Sequence, residues 1–223
     1  MSYQIAIDGP AGAGKSTVAK AAAKELGFIY VDTGAMYRTI ALALLRSGTD
    51  CANEAALAER LSRIRVEFAY ENGTQQMLLN GENVTGLIRT NEVSKMASIS
   101  SAVPMVREKL MGLQQDIADA NNVIMDGRDI GTRILPHAGL KIFLTASVDK
   151  RAKRRYDELQ EKGQVCDYEQ IRADIADRDY RDTHRETAPL KQAEDALYLD
   201  TSDLNAQEAA GEIVRLAKER FGL

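Results

Sequence analysis

Residues 5–17 read IAIDGPAGAGKST, and this stretch decides the fold. The apolar run at residues 5–7 is typical of a buried strand, and the Ala-rich segment after Ser16 is typical of a helix. Between them, Gly9 to Ser16 satisfies the pattern GxxxxGK[ST]. The sequence therefore predicts a strand, a glycine-rich turn and a helix in direct succession, as at the start of a parallel α/β sheet.

This pattern, a P-loop, indicates a site for the phosphates of a nucleoside triphosphate. Its glycines let backbone N–H groups surround phosphate oxygens, Lys15 reaches the outer phosphates, and the Ser16 hydroxyl ligates Mg²⁺ at a helix N-terminus. We therefore expect Lys15 to be catalytic and Ser16 to be a metal ligand. The residues expected to bind ATP are Gly9, Pro10, Ala11, Gly12, Ala13, Gly14, Lys15, Ser16 and Thr17.

Short apolar runs recur along the rest of the chain, separated by longer helical stretches. The runs are YQIAI near residue 5, FIYV near 28, NVIM near 123, LKIFL near 141 and ALYL near 197. This rhythm indicates a parallel sheet of about five strands with helices on both faces, a three-layer P-loop α/β fold. Predicted helices include Ser16 to Leu26, ended by Gly27, Ala35 to Ser47, ended by Gly48, and residues 206–221.

One region departs from this rhythm. Residues 65–89 alternate apolar and polar side chains and contain Asn72-Gly73 and Asn80-Gly81, which are strong hairpin-turn signals. We predict a small antiparallel sheet inserted there, followed by helix over residues 91–120 with an interruption near Pro104.

Composition limits the classes of function. The chain has 223 residues and a net charge of −4, so it lacks the basic excess typical of nucleic-acid binders. Cys51 and Cys166 belong to no metal-binding pattern, and we interpret both as reduced thiols of a cytoplasmic protein. His137 and His184 have no ligand partners at useful spacing. We expect no signal peptide, no membrane span and a monomer.

A P-loop leaves open what becomes of the γ-phosphate. A nucleotide-dependent switch or motor ATPase is one alternative, but the chain contains neither the DxxG and NKxD motifs of GTPases nor an LSGGQ-like motif. A small-molecule kinase needs an acceptor pocket and mobile arginines. Candidates for both are present.

Polar residues follow two of the predicted strands. Asp32 leads into TGAMYR, and MDGRDIGT brings Asp126, Arg128 and Asp129 to the carboxyl edge of the sheet, where ligands of open α/β sheets bind. For Asp126 two interpretations stay open. It is either a turn-forming residue before glycine or a carboxylate near Mg²⁺.

Two basic segments each allow two interpretations. In RDYRDTHR, residues 178–185, a helix would place Arg178, Arg181 and Arg185 on one face with Asp182 among them. They are either a solvated set of ion pairs or lid arginines that surround the transferred phosphoryl group. KRAKRR at 150–155 is either a solvated helix face or a segment in which Arg151 or Arg155 touches ATP.

Four stretches follow one another across nearly the whole chain: IDGPAGAGKST, DTGAMYR, DGRDIGT and RDYRDTHRETAPL. In this order they resemble the bacterial-type cytidylate kinases, whereas adenylate kinases typically have DGFPR in place of DGRDIGT. The resemblance implies transfer of the γ-phosphoryl group of ATP to CMP or dCMP with Mg²⁺, giving CDP or dCDP. The alternatives are another small acceptor, such as UMP or a hydroxylated metabolite, and a switch ATPase.

The resemblance also implies roles for individual residues. Monophosphate contacts are expected from Thr33, Tyr37 and Arg38, and cytosine contacts from Ser98, Arg107 and Asp129. Further phosphate contacts are expected from Arg128 and Arg185, and sugar contacts from Arg178 and Asp182. The expected catalytic arginines are Arg128, Arg178, Arg181 and Arg185. We predict one domain over residues 1–223, with a monophosphate-binding region at about 33–107 and a mobile lid at about 150–188.

Overall fold

A computed structural model describes residues 2–71 and 74–223 of the chain, apart from the side chain of Thr74. The strands are β1 (Gln4–Asp8), β2 (Ile29–Asp32), β3 (Val66–Glu71), β4 (Thr74–Leu79), β5 (Glu82–Asn83), β6 (Val123–Gly127), β7 (Leu140–Thr145) and β8 (Leu197–Asp200). The helices are α1 (Lys15–Leu26), α2 (Thr33–Ser47), α3 (Glu54–Ser62), α4 (Asn91–Ser100), α5 (Pro104–Ala120), α6 (Val148–Glu161), α7 (Tyr168–His184) and α8 (Ala206–Phe221). A single π-helical turn covers Ile130–Ile134.

The central sheet has five strands in the order β2, β6, β1, β7, β8. Strand β1 pairs in parallel with β6 and β7, and β7 pairs in parallel with β8. The predicted five-stranded parallel sheet is confirmed. Because Asp8 lies opposite Gly127 and Phe143, the three central strands end at one edge, and the segments that follow them share that edge.

Both faces of β1 are covered, since Ile5, Ala6 and Ile7 are all buried. One face packs on α1 and α8 in a single apolar cluster. Helix α1 contributes mainly alanines, whose small side chains allow it to lie close to the strands. The cluster fixes the direction in which α1 leaves the sheet edge, and with it the position of the glycine-rich turn.

By compactness the chain divides into two units, residues 1–30 with 118–223 and residues 31–117. The first unit contains the glycine-rich turn, strands β1 and β6 to β8, and helices α1 and α6 to α8. The second contains α2 to α4, most of α5 and the inserted sheet. Strand β2 carries the chain from the first unit into the second. The prediction of one domain stays a prediction.

The inserted sheet is confirmed as three antiparallel strands in the order β3, β4, β5. Leu79 pairs with Glu82 across Asn80-Gly81, whose φ angles of 51° and 87° are those of a type I′ hairpin turn. The other predicted turn, Asn72-Gly73, lies outside the described residues.

Helix boundaries follow local capping. Helix α2 begins at Thr33, two residues before the predicted start, because the side chain of Asp32 accepts a hydrogen bond from the backbone N–H of Ala35. The predicted interruption near Pro104 is confirmed, and this proline is the first residue of α5, where its missing N–H costs no helical hydrogen bond. In the part of the chain that is described, no helix combines the length and apolar character of a membrane span.

Candidate active site

The glycine-rich turn leaves β1 at Asp8 and ends where α1 begins. Gly9, Gly12 and Gly14 have backbone φ angles of 152°, 74° and 89°, which residues other than glycine rarely adopt. A Cβ atom at Gly9 would lie 1.9 Å from the carbonyl oxygen of Leu144. The backbone of the turn therefore approaches the end of β7 more closely than any other residue would permit.

Side-chain donors occupy three carbonyl oxygens of the turn. Lys15 Nζ donates to the Pro10 carbonyl at 2.7 Å, Arg151 Nη1 to that of Ala11 at 2.9 Å, and Thr201 Oγ1 to that of Ala13 at 3.4 Å. The backbone N–H groups in the first turn of α1 have no partner within the helix, and the helix dipole favours an anion there. This is the arrangement of a phosphate site.

Lys15 is buried, and its pKa is lowered from 10.5 to about 7. Burial is the main cause, and the positive charge of Arg128 adds to it, while Asp126 and Asp8 act in the opposite direction. A lysine in such surroundings gains from a neighbouring anion, because the anion restores the charged form of the ammonium. The predicted phosphate-binding role of Lys15 fits this environment.

The sequence allows two interpretations of Asp126, which lies at the end of β6. Its Oδ2 accepts a hydrogen bond from Ser16 Oγ at 2.8 Å, and its Oδ1 accepts one from the hydroxyl of Tyr30 at 3.0 Å. The carboxyl group is buried, and it lies beside Ser16, the predicted metal ligand. The structure therefore favours the interpretation of Asp126 as a carboxylate near Mg²⁺.

The donor chemistry of this pair fits magnesium. Mg²⁺ prefers oxygen ligands and is usually held by one or two protein oxygens together with water and substrate phosphates. A hydroxyl and a carboxylate in hydrogen-bonding contact at the start of α1 supply such oxygens. Among the described residues no group of three His, Cys, Asp or Glu side chains forms a separate metal cluster.

Arg128 and Asp182, which lie 54 residues apart in the chain, form an ion pair with Nε to Oδ2 at 2.9 Å. Asp182 is buried, which raises its pKa, but the charges of Arg128, Arg178 and Arg185 outweigh burial, and the net pKa is lowered. The carboxylate is therefore ionised at neutral pH and lies within reach of three positive charges.

Helix α7 carries the predicted lid arginines. Arg178 and Arg185 are half-buried, and Nε of Arg185 donates to the carbonyl of Ala188 at 2.8 Å just beyond the helix end. Arg181 is exposed, and its side chain forms no ion pair with the described part of the chain. The structure thus groups Arg128, Arg178 and Arg185 around Asp182, while Arg181 faces solvent.

Each of the two interpretations of the basic run at 150–155 applies to some of its arginines. Arg151 is buried and donates to the glycine-rich turn, whereas Arg155 is exposed and pairs with Glu158 on the same helix. Arg154 donates to the carbonyl of Thr201 at 2.6 Å. Arg151 and Arg154 therefore belong to the surroundings of the turn, and Arg155 belongs to a solvated face.

Asp129 lies directly before the π-helical turn and is buried. The two carboxylate oxygens of Asp8 accept hydrogen bonds from the N–H groups of Ile130 and Gly131 at 2.8 and 2.7 Å, which fixes the backbone after Asp129. The pKa of Asp8 is raised to about 6, mainly by burial.

In the second unit, two residues of the predicted acceptor site form a pair. The guanidinium carbon of Arg107 lies 5.4 Å from the centre of the Tyr37 ring, a cation–π distance, and Nη1 of Arg107 donates to the carbonyl of Ser101 at 3.1 Å. Both side chains are buried. The cation–π contact and the hydrogen bond to Ser101 together hold the Arg107 guanidinium beside the Tyr37 ring.

The remaining predicted acceptor residues lie on α2 and α4. Nη1 of Arg38 donates to the hydroxyl of Ser94 at 2.9 Å, and Ser98 lies one helical turn further along α4 and is half-buried. Thr33 is buried in the first turn of α2. The second unit therefore holds Thr33, Tyr37, Arg38, Ser98 and Arg107 on three helices.

The sequence does not predict several residues that contact the site. Asp8, Tyr30, Ser94, Asp179 and Thr201 each contact a predicted site residue or the residue next to it. Asp8 directly precedes the P-loop, and this position is a local signal for it. Asp179 lies within the basic segment at 178–185, but nothing in the sequence indicates its partner Arg151, and Tyr30, Ser94 and Thr201 carry no local signal because their partners are distant in the chain.

Comparisons with known proteins agree with this geometry. The model of the cytidylate kinase family matches residues 5–219. Cytidylate kinases from Streptococcus pneumoniae strain 70585 and from serotype 4 strain ATCC BAA-334 / TIGR4 are both 52% identical to the chain over 221 residues, covering 99% of each protein.

Two solved structures share the fold at low sequence identity. A shikimate kinase from Bacteroides thetaiotaomicron is 15% identical with a TM-score of 0.50, the alignment covering 99% of both chains. An uncharacterised protein from Eubacterium ventriosum is 14% identical with a TM-score of 0.53, covering 99% of this chain and 100% of that one. The full-length match in sequence decides the family, and this chain belongs to the cytidylate kinases.

Proposed function

We propose that this phosphotransferase moves the γ-phosphoryl group of ATP to CMP or dCMP, giving ADP and CDP or dCDP. Binding of the donor ATP is supported by the glycine-rich turn from Gly9 to Ser16, called the phosphate loop below. In this loop the buried Lys15 donates a hydrogen bond to the Pro10 carbonyl, and the Ser16 hydroxyl donates one to Asp126. Membership of the cytidylate kinase family supports the acceptor half.

The chemistry requires positioning and charge stabilisation and no protein nucleophile. An oxygen of the acceptor phosphate attacks the γ-phosphorus, and negative charge spreads over the equatorial oxygens in the transition state. Lys15 and the arginines at 128, 178 and 185 neutralise this charge. Asp182 supports them by keeping an ionised carboxylate beside the three guanidinium groups.

Ser16 and Asp126 would hold Mg²⁺, which neutralises and orients the donor phosphates when it is bound. The ordinary hydrogen bond between their oxygens keeps the hydroxyl at the start of α1. Tyr30 orients the carboxylate from its other oxygen. The burial of this group excludes bulk water from one side of the phosphate loop.

For the acceptor we propose that Thr33, Tyr37 and Arg38 bind the monophosphate and that Ser98, Arg107 and Asp129 read cytosine. The contact between Tyr37 and Arg107 supports this, since it places a residue proposed for the monophosphate beside one proposed for the base. We further propose that Arg181 joins the other lid arginines when nucleotide is bound, and that the protein is a cytoplasmic monomer that binds no nucleic acid.

Steady-state release of ADP, measured with ATP and a panel of CMP, dCMP, UMP, AMP and GMP, tests the proposal. We expect the highest kcat/KM for CMP and dCMP. A preference for UMP or for another acceptor would contradict the cytidine assignment. ADP release that is independent of every acceptor would instead indicate a switch ATPase.

A further inference from the structure

Arg151 joins three segments of the first unit through one guanidinium group. Its Nε donates to the carbonyl of Ala146 at 2.8 Å, and its Nη1 donates to the carbonyl of Ala11 in the phosphate loop at 2.9 Å. The same group forms a bidentate ion pair with Asp179 of α7. Only 3% of Arg151 is exposed, so its contacts with the two carbonyl groups are buried, while the Asp179 side chain is 21% exposed and the ion pair lies at the edge of the buried region.

The fork of the guanidinium is what makes this connection possible. Arginine presents five N–H donors in a rigid plane, so one side chain serves acceptors on different segments at once, which an ammonium on a flexible stem does not do in the same geometry. A Cβ atom at Gly12 would also lie 3.6 Å from Cβ of Arg151, so the loop packs directly on this side chain.

Asp179 connects the phosphate loop to the arginine helix. It follows Arg178 in the chain and lies one helical turn before Asp182, which pairs with Arg128. Helix α7 is therefore held at neighbouring positions by two ion pairs, one to Arg151 and one to Arg128. The helix that carries Arg178 is thus anchored to a residue that fixes a carbonyl of the phosphate loop.

We propose that Arg151 and Asp179 are positioning residues that couple the phosphate loop to α7. In this arrangement Asp179, which the structure connects to the loop through Arg151, strengthens binding of the donor nucleotide, and an occupied loop in turn stabilises α7 in place. Coupling of this kind is reciprocal, because each contact biases the same arrangement. The proposal rests on the proposed function only in that the loop binds ATP or ADP.

Conservative substitutions separate this role from simple stability. Arg151→Lys keeps the positive charge but removes the fork, and Asp179→Asn keeps the shape and one acceptor oxygen but removes the negative charge. Breaking a buried pair leaves an unpaired charge, so thermal unfolding is measured for each variant alongside binding.

A matched control is present on α8. Arg215 and Glu212, three residues apart on this helix, also form a bidentate ion pair, but their side chains are 52% and 36% exposed, and Arg215 also pairs with Glu219. Arg215→Lys and Glu212→Gln therefore repeat the same chemical changes away from the phosphate loop. Binding of Mg·ADP to these control variants is expected to stay within about twofold of the wild type.

The experiment is a double-mutant cycle on the dissociation constant of Mg·ADP, measured by titration calorimetry with the full chain. We expect Arg151→Lys and Asp179→Asn each to weaken binding by about tenfold or more. We expect the dissociation constant of the double variant to be within about threefold of that of the weaker-binding single variant, because both substitutions break the same ion pair. Inorganic tripolyphosphate, which lacks base and sugar, should show the same pattern.

If the losses of Mg·ADP affinity in the two single variants multiplied in the double variant, the proposed coupling would be wrong. It would also be wrong if the single variants bound Mg·ADP as tightly as the wild type and only melted at a lower temperature. Should Arg151→Lys fail to fold, Asp179→Asn alone decides, because the structure connects it to the loop through Arg151. A wild type that bound no Mg·ADP would refute the proposed function itself, an outcome distinct from a failure of the coupling.

Discussion

The hydroxyl oxygen of Ser16 lies 2.8 Å from Oδ2 of Asp126, although 110 residues separate the two in the chain. Parallel pairing of β1 with β6 brings them together, because Ile7 lies opposite Asp126 and the phosphate loop follows β1 directly. The sheet thereby places a carboxylate beside the hydroxyl that the P-loop pattern assigns to magnesium.

This contact predicts the metal dependence of the enzyme. Asp126→Asn should raise the Mg²⁺ concentration needed for half-maximal activity by about tenfold or more, because the charge that supports the ion is lost. Tyr30→Phe, which removes only the other hydrogen bond to Asp126, should have a smaller effect. Activity is titrated with Mg²⁺ at fixed ATP, and an unchanged Mg²⁺ requirement in Asp126→Asn would remove this residue from the metal site.

The pKa of Lys15 predicts a pH dependence of stability. The unfolded chain holds the lysine proton up to about pH 10.5, whereas the folded chain without nucleotide holds it only up to about 7. Between these values folding releases a proton, so the free energy of unfolding should rise with pH by up to about 1.4 kcal/mol per pH unit. Below pH 7 the cost of burying the charged ammonium is present in full.

Lys15→Met isolates this contribution, since all other titrating groups are shared with the wild type. Denaturant unfolding of both proteins from pH 6 to 10 should give a difference in unfolding free energy that shifts in favour of the wild type as pH rises. Parallel pH curves for the two proteins would show that the lysine stays charged in the folded chain.

Replacing the arginines around Asp182 should lower catalytic activity without unfolding the protein. Arg178→Ala and Arg185→Ala should each lower kcat/KM for CMP by at least about a hundredfold, equivalent to roughly 2.7 kcal/mol, which exceeds what a solvated ion pair contributes. Arg172→Ala on the same helix is the control, because Arg172 is exposed and pairs with Asp149.

We expect the control to stay within about twofold of the wild type, and the melting temperature to change little in all three variants. If the losses at Arg178 and Arg185 were as small as that at Arg172, α7 would be an ordinary solvated helix, and its arginines would have no part in phosphoryl transfer.

Much of the fold was predictable because its signals are local. Apolar runs marked all five strands of the central sheet, and the φ angles of Gly27 and Gly48, 68° and 63°, explain why glycine ends α1 and α2. The π-helical turn at Ile130–Ile134 was not predicted, because its backbone depends on Asp8, which is more than 120 residues away.

The same distinction applies to the site. The P-loop pattern is contiguous, so the sequence predicts its residues, whereas the pair of Arg151 and Asp179 depends on the packing of α6 on α7, which has no local sequence signal. For Asp126 the sequence offered a turn or a metal site, and only the contact with Ser16 favours one of them.

Asp129 predicts the choice of base. Cytosine presents an amino donor where uracil presents a carbonyl acceptor, so a carboxylate at this position suits CMP and opposes UMP. In the wild type we expect a preference for CMP over UMP on the order of a thousandfold, because with UMP the buried carboxylate has no donor to pair with. Asp129→Ala should impair phosphorylation of CMP far more than that of UMP and so reduce this preference. Asp129→Asn should favour UMP further, since its amide can donate to the carbonyl.

These variants are compared by kcat/KM for both nucleotides, with melting temperature as the control for folding. An unchanged ratio of CMP to UMP in Asp129→Ala would show that another residue reads the base.

The most direct test of phosphoryl transfer to cytidylate is the stoichiometry of its products. The wild type is incubated with ATP, Mg²⁺ and CMP, and ADP, CDP and inorganic phosphate are quantified together by chromatography, with Lys15→Ala as the loop-defective control. We predict one CDP for each ADP, little free phosphate, and loss of most of both products in a folded Lys15→Ala protein. ADP accompanied by free phosphate instead of CDP, or an undiminished yield of CDP from Lys15→Ala, would contradict the account.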